Sequence, residues 1–126
     1  MARVLWISLG GAVGTAARYL LSGWLLRALG PAFPCGTLAV NVIGSFLLGA
    51  IMHVGLNTTL LSPGARLVLG TGVMGGFTTY STFNYETLQY LREGAWGLAG
   101  LNVSATLVTC LVAGVLGVVA ARLVVG

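Results

Sequence analysis

Long apolar runs alternate with short polar breaks along this chain. The first run, Val4 to Leu26, is apolar almost throughout and carries Arg18 inside it. Gly30, Pro31 and Pro34 end it, because Gly and Pro both break helices. A second run extends from Thr37 to Leu56. Asn57 to Gly64, with Ser62-Pro63-Gly64, reads as a turn-rich loop. A third run goes from Arg66 to Leu91 and stops at Arg92-Glu93-Gly94. A fourth goes from Trp96 to Ala121, with Arg122 at its end. A membrane helix needs about 20 apolar residues, and all four runs meet that length. The pattern predicts one all-α integral membrane domain over 1–126, with transmembrane helices at 4–26, 37–56, 66–91 and 96–121. Arg3, the apolar stretch to Gly14 and Thr15-Ala16-Ala17 weakly match a cleaved signal. The run continues past them to Leu26, so a retained first helix is expected.

Composition excludes the other classes. Of 126 residues, 57% are hydrophobic and 6% are charged, with a mean hydropathy of +0.99. Soluble domains carry about a quarter charged residues, so a soluble enzyme, a disordered chain and a secreted disulfide scaffold are all ruled against. The formal net charge is +4, but the arginines are scattered at 3, 18, 27, 66, 92 and 122. A nucleic-acid partner would require them clustered, so none is expected. Single arginines at the ends of apolar runs read as interfacial anchors. Cys35 and Cys110 have no metal-ligand spacing and read as packing residues, and the lone His53 has no second His or acidic neighbour to make a site.

Charge also bears on orientation. With four spans, Arg3, Arg66 and Arg122 fall on one side, and Arg27 and Arg92 on the other. The positive-inside rule needs an asymmetry, and this one is slight. Either the chain inserts both ways up and forms antiparallel pairs, or one residual arginine decides. Gly10 and Gly14, Gly72 and Gly76, and Ala113 and Gly117 are each four apart, a spacing that lets membrane helices approach closely.

The third run departs from the apolar pattern. It reads Gly70-Thr-Gly-Val-Met-Gly-Gly-Phe-Thr-Thr-Tyr-Ser-Thr-Phe-Asn-Tyr-Glu86. Each Gly costs roughly 1 kcal/mol against Ala in a helix interior, so the glycines weaken the helix near its centre. Non-helical backbone at membrane depth persists only when buried in protein or lining a wet cavity, and such breaks form ion sites. The alternative is a kinked, inert helix whose Ser and Thr bond back to its own carbonyls. Tyr80 and Phe83 share a face that Phe77 extends, and their electropositive ring edges suit an anion. Thr79, Thr82 and Glu86 line a neighbouring face, with Ser81 and Asn84 interspersed.

Asn41 is either an anion donor or an interhelical hydrogen bond. Arg18 either snorkels to the interface or attracts an anion toward a path. Glu86 is the only intramembrane carboxyl candidate, which argues against a proton-coupled cation pump. No nucleophile–base pair stands in the third run, so no enzyme is expected.

At these residues the chain resembles the Fluc fluoride-channel family, also called CrcB. The resemblance rests on Gly11-Ala-Val-Gly-Thr-Ala-Ala-Arg18, on Gly36-Thr-Leu-Ala-Val-Asn41, and most specifically on Gly72 to Glu86. It covers essentially the whole chain. It implies a four-helix inner-membrane protein whose third helix breaks at its centre, assembled as an antiparallel, dual-topology homodimer. Two pores would pass fluoride passively out of the cell and reject chloride. A structural sodium ion would sit at the dimer axis on the backbone carbonyls of Gly75 and Thr78. The resemblance implies fluoride-pore roles for Asn41, Tyr80, Ser81, Thr82, Phe83 and Glu86, with Arg18 near the vestibule. Tyr80 stands where the family usually has Phe, and Asn84 where Ser is common.

Two other classes remain to be weighed. A small multidrug antiporter is also short and four-helical, but it relies on a glutamate in its first helix, where this chain has Arg18. A non-transporting assembly protein would explain the glycine packing but not the polar residues of the third run.

Overall fold

A computed structural model describes all 126 residues. The chain is entirely helical. Helix α1 spans Ala2–Leu29, α2 Cys35–Asn57 and α3 Pro63–Leu67. A wider π-helical segment, Val68–Met74, leads directly into α4, Gly75–Phe77. After the extended residues Thr78 and Thr79 come α5, Tyr80–Arg92, and α6, Trp96–Val125. Three of these helices, α1, α2 and α6, are long and apolar enough to cross a membrane. The chain is a multi-pass membrane protein. Helices α1 and α6 run a turn beyond the spans the apolar pattern predicts, because neither Ala2-Arg3 nor Arg122-Leu123 carries a breaker.

Gly30, at a φ of 81°, ends α1 in a backbone conformation that only Gly adopts freely. Ser62 opens α3 by accepting the Ala65 N–H, and Pro63 occupies the first helical position. Tyr90 ties the end of α5 to the first connection by donating to the Ala32 carbonyl at 3.1 Å.

Small residues determine which helices touch. The segment 68–77 lies along α1 in the same chain direction. A Cβ on Gly14 would overlap the Val73 carbonyl, and one on Gly76 would overlap the Gly11 carbonyl. Helices α2 and α6 pack just as closely, with Gly117 against the Phe46 carbonyl and Gly49 against the Gly114 carbonyl. Where helices gain little from burying apolar surface against each other, such backbone approach is what holds them together. The glycine pairs read from the sequence lie at these contacts.

Candidate functional site

The site is built around the interruption between α4 and α5. Thr78 has φ −86° and ψ 160°, and Thr79 has φ −152° and ψ 113°. Local chemistry favours the interruption here. Thr78 turns its Oγ1 back to donate to the Met74 carbonyl at 3.0 Å. Thr79 caps α5, its Oγ1 accepting the Thr82 N–H at 3.3 Å. Hydroxyl side chains compete in this way with the helical ladder.

Two neighbouring helices hold the interruption in place. Asn41 on α2 is 8% exposed. Its Oδ1 accepts the Thr79 N–H at 2.8 Å, and its Nδ2 donates to the Thr79 carbonyl at 3.0 Å. One carboxamide thus pairs with both polar groups of one residue. An unbroken helix would have delivered the Thr79 N–H to the Gly75 carbonyl. With that donor diverted, the carbonyls of Gly75, Phe77 and Thr78 accept no hydrogen bond. From α1, Arg18 donates through Nε to the Gly76 carbonyl at 3.0 Å. It therefore turns into the protein rather than snorkelling, and places a cation at the carbonyl end of α4.

A cavity of about 650 Å³ lies between the second half of α1, the connection at 30–34, the start of α2 and α5. Its lining includes buried Thr37 and half-buried Arg18, Thr79, Thr82 and Glu86, with Cys35 at the start of α2 and the exposed Arg27 in the last turn of α1, at the mouth. Thr37 donates to Glu86 Oε2 at 2.8 Å, while Glu86 Oε1 is buried without a partner. Thr79 donates its hydroxyl proton to Thr82 Oγ1 at 3.0 Å, which leaves the Thr82 proton free to meet an anion.

Of the residues singled out in the sequence as polar site candidates, the cavity brings together Arg18, Thr79, Thr82 and Glu86. Asn41 stands behind it, committed to Thr79. Phe83 is 7% exposed and meets Tyr80 edge-to-face, with centroids 5.8 Å apart and an interplanar angle of 66°. Tyr80 is 76% exposed, and Ser81, Asn84 and Tyr85 beside it are exposed as well. Gly75 is also exposed, with open space where a Cβ would project.

Sequence reasoning missed Thr37 and Asn102. Asn102 is 1% exposed and donates to Thr87 Oγ1 at 2.9 Å, and Thr87 donates to the Phe83 carbonyl at 2.9 Å. This chain ties α6 to the turn of α5 that carries Phe83. An amide in the middle of an apolar run was the available signal.

Residues 5–118 match the family described as CrcB-like protein, Camphor Resistance (CrcB). The chain is 60% identical to the fluoride-specific ion channel FluC of Sorangium cellulosum (strain So ce56), across 97% of this chain and 96% of that protein. It is 58% identical to the protein of that name from Anaeromyxobacter sp. (strain K), across 90% of each. With the one from Geobacter sulfurreducens it shares 53% identity, across 97% of this chain and 98% of that protein.

Proposed function

The chain belongs to the CrcB family, and from that premise we propose that it is a fluoride-selective channel that passively exports fluoride through the inner membrane. It is a transporter rather than an enzyme. The observation that carries this reading is the cavity, which runs to the helix interruption past hydroxyls and guanidinium groups, with Glu86 as its only carboxyl. Fluoride gives up tightly held water on passage. The donors that replace that water must bind weakly enough to release the ion. The free Thr82 proton, the unused Nη groups of Arg18, Ser81 and the ring edges of Tyr80 and Phe83 are donors of this kind. Asn41 keeps one N–H beyond its bond to Thr79.

In this reading 63–92 makes one membrane crossing, broken at Thr78–Thr79, and the chain works as an antiparallel homodimer. The exposed face of α5 supports the dimer. Tyr80, Ser81, Asn84 and Tyr85 carry polar groups with no partner side chain in this chain, at a depth where lipid cannot satisfy them. A second copy would cover them. The reading includes a structural sodium ion. The Gly75 and Thr78 carbonyls fit it, since both are free of hydrogen bonds and Gly75 faces open space. Neutral oxygens suit a hard cation, and when bound it would offset the negative potential of these carbonyls.

Fluoride efflux from proteoliposomes, read by electrode, tests the function, with chloride-loaded vesicles as control. Rapid fluoride loss with chloride retained is the expected result. Full fluoride flux in both Phe83→Ile and Asn41→Asp would refute the pore assignment. Proton-coupled dye uptake would favour an antiporter instead.

A further inference from the structure

Arg27 lies in the last turn of α1, a position where a cation commonly complements the helix dipole or snorkels outward to headgroups. Arg27 is exposed, and its side chain slants toward the N-terminus of α1, as helical side chains do. Nη1 sits 4.0 Å from the point where a Cβ on Gly23 would project. The side chain therefore folds back one turn along α1, toward the membrane interior. It lies over a residue that has no side chain to block it. Gly23 and Arg27 both line the cavity. Arg18 and Arg66 each donate to a backbone carbonyl, at Gly76 and Gly55. Arg27 makes no such bond and has no carboxylate partner, so its charge is uncommitted.

Arg18 lies nine residues deeper on the same helix, roughly 13 Å at 1.5 Å per residue. The cavity thus has one guanidinium at its mouth and one at its floor, against the single carboxyl of Glu86. Clefts with an excess of one charge and low-dielectric walls concentrate the opposite ion and raise its capture rate. We propose that Arg27 is the residue that captures anions at the cavity mouth and feeds them toward Arg18 and Thr82. This role rests on the fluoride-channel reading above.

The test is fluoride flux at low fluoride concentration, where capture limits the rate, in proteoliposomes at about 10 mM and about 1 M of an impermeant salt. The Debye length falls from about 30 Å to about 3 Å between these conditions. Arg27→Gln should lower flux about two- to fivefold at low salt and hardly at all at high salt. Arg92→Gln removes a charge from the same side of the membrane but outside the cavity, and should keep nearly full flux. Cys35 supplies an independent arm, because it shares the mouth. In a Cys110→Ser background, an anionic thiol reagent should slow flux more than a cationic reagent of equal size, and Cys35→Ser should abolish the difference. Unchanged low-salt flux in folded Arg27→Gln would overturn the proposal. So would an equal loss at both salt concentrations, which would mark Arg27 as a helix-end residue. Wild-type protein that passes no fluoride would overturn the channel reading and this role with it.

Discussion

Replacing Asn41 by Leu removes both hydrogen bonds to Thr79 while keeping the apolar volume on α2 nearly constant. Deleting one partner of a buried hydrogen bond leaves the other group orphaned, at a cost of about 2 kcal/mol within a range of about 1–3. Losing both bonds outright would cost about 4 kcal/mol. The Thr79 N–H has an alternative, however. It can return to the Gly75 carbonyl, its partner in a continuous helix, which recovers one bond. The expected destabilisation is then about 2 kcal/mol, still well above the roughly 0.6 kcal/mol typical of side-chain hydrogen bonds between membrane helices. Denaturant titration in mixed micelles measures it.

The same substitution should alter the interruption itself. If the helix closes, the Gly75 carbonyl is consumed, and any dependence of dimer stability on sodium should weaken. Hydrogen exchange at the Thr79 amide should change, with Met74 and Phe83 little affected. Asn41→Asp supplies a sign check. A carboxylate can accept the Thr79 N–H but faces the Thr79 carbonyl with a second acceptor. Once protonated it offers one donor and one acceptor, as the amide does. The stability of Asn41→Asp, taken relative to wild type at each pH, should therefore rise as pH falls and be lost as pH rises. Wild-type stability and wild-type Thr79 exchange in Asn41→Leu would refute the account of Asn41 as the clamp on the interruption.

Gly14→Leu places a side chain against the Val73 carbonyl and the Phe77 amide. It should cost about 3 kcal/mol or prevent folding altogether, as read by gel-filtration yield and thermal melting. Tyr80→Phe keeps the edge-to-face contact with Phe83 and should keep fluoride flux within about twofold by electrode. Asn102→Leu leaves Thr87 bonded only to the Phe83 carbonyl, and should loosen the Phe83 turn, with faster hydrogen exchange across 83–87 and lower flux. If the proposed homodimer holds sodium on the Gly75 and Thr78 carbonyls, replacing sodium by a large organic cation should lower the yield of cross-linked dimer in the wild type.

Much of this architecture was legible in the sequence because the bilayer imposes length and polarity directly. Apolar runs had to be helices, and the glycines of the third run marked where its helix is weak, without distinguishing a kink from a break. The direction of individual polar side chains was not legible. Asn41 could have been a donor to an ion or a bond between helices, and only coordinates distinguish the two, because the answer depends on which backbone group lies opposite. Arg18 reads as an interfacial anchor until the carbonyl end of α4 is known to sit beside it. Thr37 passes for an ordinary residue at a helix start, since its partner, Glu86, lies 49 positions away.

The helix interruption links these residues. A continuous helix through Thr78 and Thr79 would satisfy its own backbone, leaving no free carbonyl and no reason for Asn41 or Arg18 to point inward. Breaking it costs backbone hydrogen bonds that lipid cannot replace. The chain offsets that cost locally, with Thr78 bonding back, Thr79 capping α5, Asn41 pairing with Thr79 and Arg18 meeting Gly76. Three carbonyls, those of Gly75, Phe77 and Thr78, are still left over. An inert kink would have no use for that surplus. It is what an ion site or a subunit contact requires, so the leftover carbonyls agree with the proposed channel and weigh against an inert kink. A structure of the Asn41→Leu variant with a continuous helix and undiminished fluoride flux would separate the interruption from conduction and overturn this argument.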